Sequence, residues 1–132
     1  MRSKDLESFK ICIGTNDNRS IANTHLGDTS FFNIYELYNN QEFKFVKQIV
    51  NSSKDMDHSK EDKMRSIIRL IGDVEVLVSK QKSPNFIKIS QKTKYLPIIV
   101  KADTLDSVIE IIGRSFTEIY KSIGTMDIIL DF

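Results

Sequence analysis

The sequence predicts an α/β fold, a mixed five-stranded sheet with helices covering it, and three observations carry that prediction. Short runs rich in β-branched and aromatic residues read as strands at 9–15, 31–37, 42–50, 74–78 and 96–100. Apolar residues at helical spacing fill the stretches that precede or follow the later strands. No such stretch separates the first three strands, so hairpin-type connections come first and crossover connections second.

Taken in order, residues 9–15 (FKICIGT) form a buried strand that ends in the turn-prone run Gly14-Thr15-Asn16-Asp17-Asn18. A loop over 19–28 leads to the strand 31–37 (FFNIYEL), and Asn39-Asn40 turns the chain into 42–50 (EFKFVKQIV). There Phe43, Phe45 and Val46 begin an alternation with Lys44 and Lys47, so one sheet face is apolar and the other mixed. Phe31, Phe32, Tyr35, Phe43 and Phe45 read as core and sheet-face residues. Residues 51–61 (NSSKDMDHSKE), which include His58, form a polar, mobile connection.

The helix that follows shows Met64, Ile67, Ile68 and Ile71 on one stripe, with Gly72 at its C-terminus. Residues 74–78 (VEVLV) make a short strand, and Ser83-Pro84 supplies an N-cap and a first-position proline for a helix through Lys92. After the strand 96–100 (LPIIV), Thr104 caps a last helix whose first turn carries Asp106. Its apolar residues keep helical spacing from Leu105 to Ile123, about five turns, and Gly124 closes it. The tail 126–132 (MDIILDF) is apolar enough to dock as an extra strand or to contact a partner. This order fits a ribonuclease-H-like arrangement with strand order 3-2-1-4-5. One domain is expected, with a core over 9–123, a polar extension at 1–8 and an apolar tail at 125–132.

Composition excludes several functions. With 40% hydrophobic and 28% charged residues, the chain can bury a core without disulfides or a structural metal. Nineteen basic against 18 acidic residues leave a net charge of +1, too little to steer the molecule to nucleic acid or an anionic membrane. Any anion site must be built locally. The single cysteine, Cys12, rules out an internal disulfide and zinc-site spacing. No apolar run approaches a membrane span, and residues 1–8 lack a secretory signal's apolar core, so a cytoplasmic protein is expected.

Three blocks carry a family resemblance. They are Lys10-Ile11-Cys12-Ile13-Gly14-Thr15-Asn16-Asp17, then Ile21-Ala22-Asn23-Thr24-His25-Leu26-Gly27-Asp28, then Phe31-Phe32-Asn33-Ile34-Tyr35-Glu36. Their order and spacing resemble the dinitrogenase iron–molybdenum cofactor accessory family, over residues 9–120. Leu26 stands where that family usually has Phe, and the loop 79–85 lacks the glycines often found there. The resemblance implies a non-catalytic carrier for an iron–molybdenum or iron–sulfur cluster, related to nitrogen fixation, with cofactor-biosynthesis proteins as partners.

Within that frame His25 is the candidate metal ligand, since a loop imidazole beside Thr24 and Gly27 can be presented to a cluster. A loop histidine that hydrogen-bonds backbone is the plainer alternative. If the first and fourth strands are parallel neighbours, their C-terminal ends bring Thr15, Asn16 and Asp17 towards Lys80, Lys82 and Ser83. The helix start at Ser83 and the two lysines then make a small anion site. Cys12 reads as a buried structural thiol. A diverged member that has lost its cluster and acts as an interaction or regulatory module is the second reading. A metal-dependent nuclease built on Asp17, Glu36 and Asp73 or Asp103 is a distant third.

Overall fold

A computed structural model describes residues 6–56, 61–125 and 127–132. Six strands form one sheet: β1 (Ser8–Thr15), β2 (Phe31–Tyr38), β3 (Phe43–Val50), β4 (Val76–Ser79), β5 (Leu96–Ile99) and β6 (Leu130–Asp131). Their order is β3-β2-β1-β4-β5-β6, so the expected five-strand order holds and the tail adds a sixth strand. Pairings β1–β2 and β2–β3 are antiparallel, whereas β1–β4, β4–β5 and β5–β6 are parallel. The helices are α1 (Glu61–Ile71), α2 (Pro84–Lys92), α3 (Leu105–Arg114) and α4 (Phe116–Ser122). No helix among the described residues is long and apolar enough to cross a membrane.

Alternation along the strands divides the core in two. Phe9, Ile11 and Ile13 of β1 point to the side covered by α3 and α4, where Val108, Ile112 and Ile119 are fully buried. Cys12 and Leu77 point to the other side, where Ile67 and Ile71 of α1 and Phe86 and Ile89 of α2 cover them. Two helix starts and one helix end follow from their local sequence. The Ser83 and Thr104 hydroxyls accept from the backbone N–H groups of Phe86 and Ser107. Gly72 takes a left-handed φ of 71° directly after α1.

Four sequence expectations are corrected. The single last helix is two, because the chain leaves helical geometry at Ser115, whose N–H bonds both Ile111 and Ile112 carbonyls before α4 begins. Phe43 and Phe45 are not core: they are 53% and 52% exposed, since β3 is an edge strand and α3 stops short of covering it. The alternation in β3 also breaks. A bulge between the partners of Ile34 and Tyr35 leaves Val46 unpaired and reverses the parity beyond it, so Phe45 shares the face of Tyr35 while Ile49 joins Phe32 on the α1/α2 face. Finally, the start of the polar connection is packed rather than mobile. Asn51 and Ser53 are buried, whereas His58 lies outside the described residues.

Candidate functional site

β1 and β4 run parallel side by side, so the loops leaving their C-terminal ends meet. The loop after β1 is held in shape by its own side chains. The buried Thr15 hydroxyl donates to the Ser20 carbonyl (2.7 Å) and accepts from Asn18 N–H (3.0 Å). Asp17 Oδ1 accepts from the N–H groups of Ser20 (2.8 Å) and Arg19 (2.9 Å). Those bonds, Ser20's first, hold its carboxyl below the usual carboxylate range. Asn16 Oδ1 accepts from Ser30 N–H (2.8 Å), closing the loop on itself.

The His25 segment is then pressed onto α1. Asn51 donates to the carbonyls of Gly27 (2.9 Å) and Thr29 (2.8 Å). A Cβ added to Gly27 would lie 2.9 Å from Ile67 Cδ1, and one added to Gly14 would lie 2.5 Å from Thr29 Cγ2. Both glycines are therefore set by close approach. Lys63 of α1 is 3% exposed, and its ammonium donates to Asp28 Oδ1 (2.6 Å) and the Lys54 carbonyl (3.0 Å). The other oxygen of Asp28 lies 3.9 Å from His25 Nδ1. Asp28 thus stands between an imidazole and a buried ammonium.

Beneath this segment lies a pocket of about 50 Å3 between α1 and α2. His25, Asp28, Lys63 and Ser83 stand at its polar side, and Met64, Ile67, Ile71, Leu77, Phe86 and Ile89 form its apolar wall. Of the residues singled out in the sequence, His25 and Ser83 meet here. His25 has a side chain 43% exposed, and Ser83 caps α2.

The other candidates stand elsewhere. Thr24 is exposed and donates to the His25 carbonyl (3.2 Å). Thr15 and Asn16 bond within the first loop and do not line the pocket. Lys80 pairs with Asp103 in the loop after β5, and Lys82 is exposed. Gln81 ties the two loops together by donating to the Asn23 carbonyl (2.9 Å).

Lys63, Asp28, Asn51 and the apolar wall were not foreseen. One signal for Lys63 was present: it shares a helical stripe with Ile67 and Ile71, at i, i+4 and i+8.

Among the described residues no three His, Cys, Asp or Glu side chains gather in a way that could hold a metal ion. Three of the four carboxylates considered for a nuclease are spent on other partners. Asp17 closes its turn, Glu36 accepts from Ser8 (2.6 Å), and Asp103 pairs with Lys80. His25 and Asp28 are too few donors for a bare divalent ion. A preassembled cluster brings its own sulfide ligands, so one protein donor and a charged rim fit it. Cys12 contributes nothing at this surface, being fully buried with burial pushing its thiol pKa up.

The fold and site together define an α/β protein with a pocket between two helices on one face of the sheet, one imidazole in its lining. A family model described as dinitrogenase iron–molybdenum cofactor matches residues 7–114, and the chain belongs to that family. Membership associates it with iron–molybdenum cofactor-related function. No curated protein matches the chain at a significant level.

Proposed function

We propose that the protein is a cytoplasmic, non-catalytic carrier that binds an anionic metal–sulfur cluster at the His25 pocket during cofactor assembly. The observation that carries this reading is the meeting of His25 and the α2 start at Ser83 over one pocket, in a chain of this family. His25 serves as ligand or gate. Thr24 and Asn16 shape the loop that presents it, and Thr15 fixes the turn below. The helix start supplies positive potential, while the Lys63 ammonium offsets the Asp28 carboxylate beside it. Lys80 and Lys82 stand further out and contribute long-range attraction only. Biosynthetic proteins that donate or receive the cluster are its partners.

An anaerobic absorbance titration with iron–sulfur and thiomolybdate species tests this. Saturable binding near one site per chain is expected, and His25→Ala should weaken it at least tenfold. That variant should keep its melting behaviour, because a partly exposed loop side chain adds little to stability.

A second reading has its own support. Phe43 and Phe45 are exposed on an edge strand, as an interaction module would require, and the glycine-free loop 79–85 is strapped down by Gln81. Absence of any cluster binding would make that reading the better one.

A further inference from the structure

The α3/α4 face of the sheet is left open at its β3 end. Phe43 and Phe45 are exposed there, yet both rings are held in place: each meets Tyr35 edge-on, with centroids 6.4 and 5.5 Å away. Between these rings and α3 run two hollows, of about 390 and 510 Å3, that share Asp106. Phe43 and Gly113 line the first. A Cβ built on Gly113 meets nothing within 4 Å, and its φ is not left-handed, so neither packing nor turn geometry within the chain requires glycine, which weakens a helix. Arg19 and Asp106 line the second hollow without bridging each other. Glu110 and Arg114 nearby pair together at 2.6 Å, whereas neither Arg19 nor Asp106 has an ion-pair partner among the described residues.

We propose that a second copy of the chain docks on this face, in a two-fold dimer. A two-fold interface must be complementary to itself, so one patch has to carry a knob with a hole and an acid with a base. Both pairs are present. The exposed rings and the gap over Gly113 are the first, and Asp106 and Arg19 are the second. A ring of each copy enters the gap of the other, while Asp106 of each meets the partner's Arg19. A partner of one charge sign would answer only half of this patch. Rings already fixed by Tyr35 lose little freedom on docking. Pairing edge to edge is discouraged instead, because exposed Lys44 and Lys47 and the bulge guard β3 itself. The His25 pocket lies on the opposite face and stays open in both copies, so the inference goes beyond the carrier reading and does not depend on it.

Sedimentation of the full chain from about 1 μM to about 1 mM tests this, and a monomer–dimer equilibrium with a roughly micromolar Kd is expected. It should weaken as salt rises. Gly113→Leu fills the gap from open space, so it should keep the fold and weaken the dimer at least tenfold, whereas Gly113→Ala should leave it intact. Asp106→Arg and Arg19→Asp should each weaken the dimer, and the two combined should restore it, which a folding defect would not allow. His25→Ala should change nothing in this assay.

A chain that stays monomeric at every concentration would overturn the proposal. So would a dimer indifferent to Gly113→Leu and to the charge swaps, since its interface would then lie elsewhere.

Discussion

The two faces of the sheet are built from the same kinds of strand yet finished differently. Under α3 and α4 the core is large and continuous, running from Phe9 and Ile13 through Val108 and Ile112 to Phe116 and Ile119. Phe9 stacks on Phe116 with ring centroids 4.8 Å apart, and Phe116 stacks on Tyr120 at 5.4 Å. Under α1 and α2 the apolar cluster is smaller and admits Lys63, Asn51, Ser53 and a pocket. On the carrier reading proposed above, one face supplies stability and the other gives part of its packing over to the proposed site. In a protein of this size that division sets where substitutions are tolerated.

The largest effect should fall on the α3/α4 face. Ile112 is fully buried among α3, α4 and the sheet, so Ile112→Ala should destabilise by about 3–4 kcal/mol. Urea unfolding measures this, and ligand binding of the folded fraction should be unchanged. A loss of binding without a loss of stability would break the division of labour.

Next comes Gly14→Ala. Its new Cβ meets the buried, β-branched Thr29, which cannot swing aside, so the change should destabilise by about 1–3 kcal/mol. It should also shift amide resonances across 25–30, because Thr29 carries the end of the His25 segment.

Lys63→Met keeps the alkyl packing and removes the ammonium. Asp28 stays partly in water, at 35% exposure, so the loss should be about 1–2 kcal/mol rather than that of a fully buried orphan charge. Hydrogen exchange should rise around Asp28 and leave α3 untouched.

The smallest effect concerns pH, at the uncovered end of the α1/α2 face. The Ser8 hydroxyl, then nearby Tyr38 and Lys44, hold the Glu36 carboxyl below the usual carboxylate range against the opposing effect of burial. A depressed folded-state value means stability that is present above the unfolded pKa and is lost as pH falls through the folded one. Ser8→Ala should flatten the acid limb of a melting-temperature profile below about pH 4.3 and change nothing at neutrality. An unchanged acid limb would remove Ser8 as the cause.

The contrast between faces also explains what the sequence disclosed. Strand and helix positions were legible because burial on one side imprints a period, as in Phe9–Ile11–Ile13 or Met64–Ile67–Ile71. The caps at Ser83 and Thr104 were legible because capping is local. The docking of β6 was only half legible. A two-residue strand is defined by its neighbour, here through Phe132 N–H to the Ile99 carbonyl (2.8 Å) and Lys101 N–H to the Phe132 carbonyl (3.0 Å). The exposure of Phe43 and Phe45 was illegible for a similar reason, since a pattern shows which residues share a face and not how far a helix reaches across it.

His25 and Ser83, proposed from family spacing and capping chemistry, line one pocket. Lys63 reaches Asp28 across 35 positions and Asn51 reaches Gly27 across 24. Contacts of that span leave no periodic trace. Lys80 was drawn to the pocket by proximity in the chain, but Asp103 outcompeted it. A partner from another loop decided its direction.

The burial of Cys12 has a consequence for sulfur traffic. A thiolate at the surface could trade places with the bridging or terminal sulfides of a passing cluster, or be captured into a mixed disulfide. This chain has one thiol and keeps it within the sheet between Ile34 and Leu77 of the adjoining strands, at zero exposure. Any metal–sulfur species that touches the protein therefore meets no thiol of the protein's own with which its sulfides could exchange.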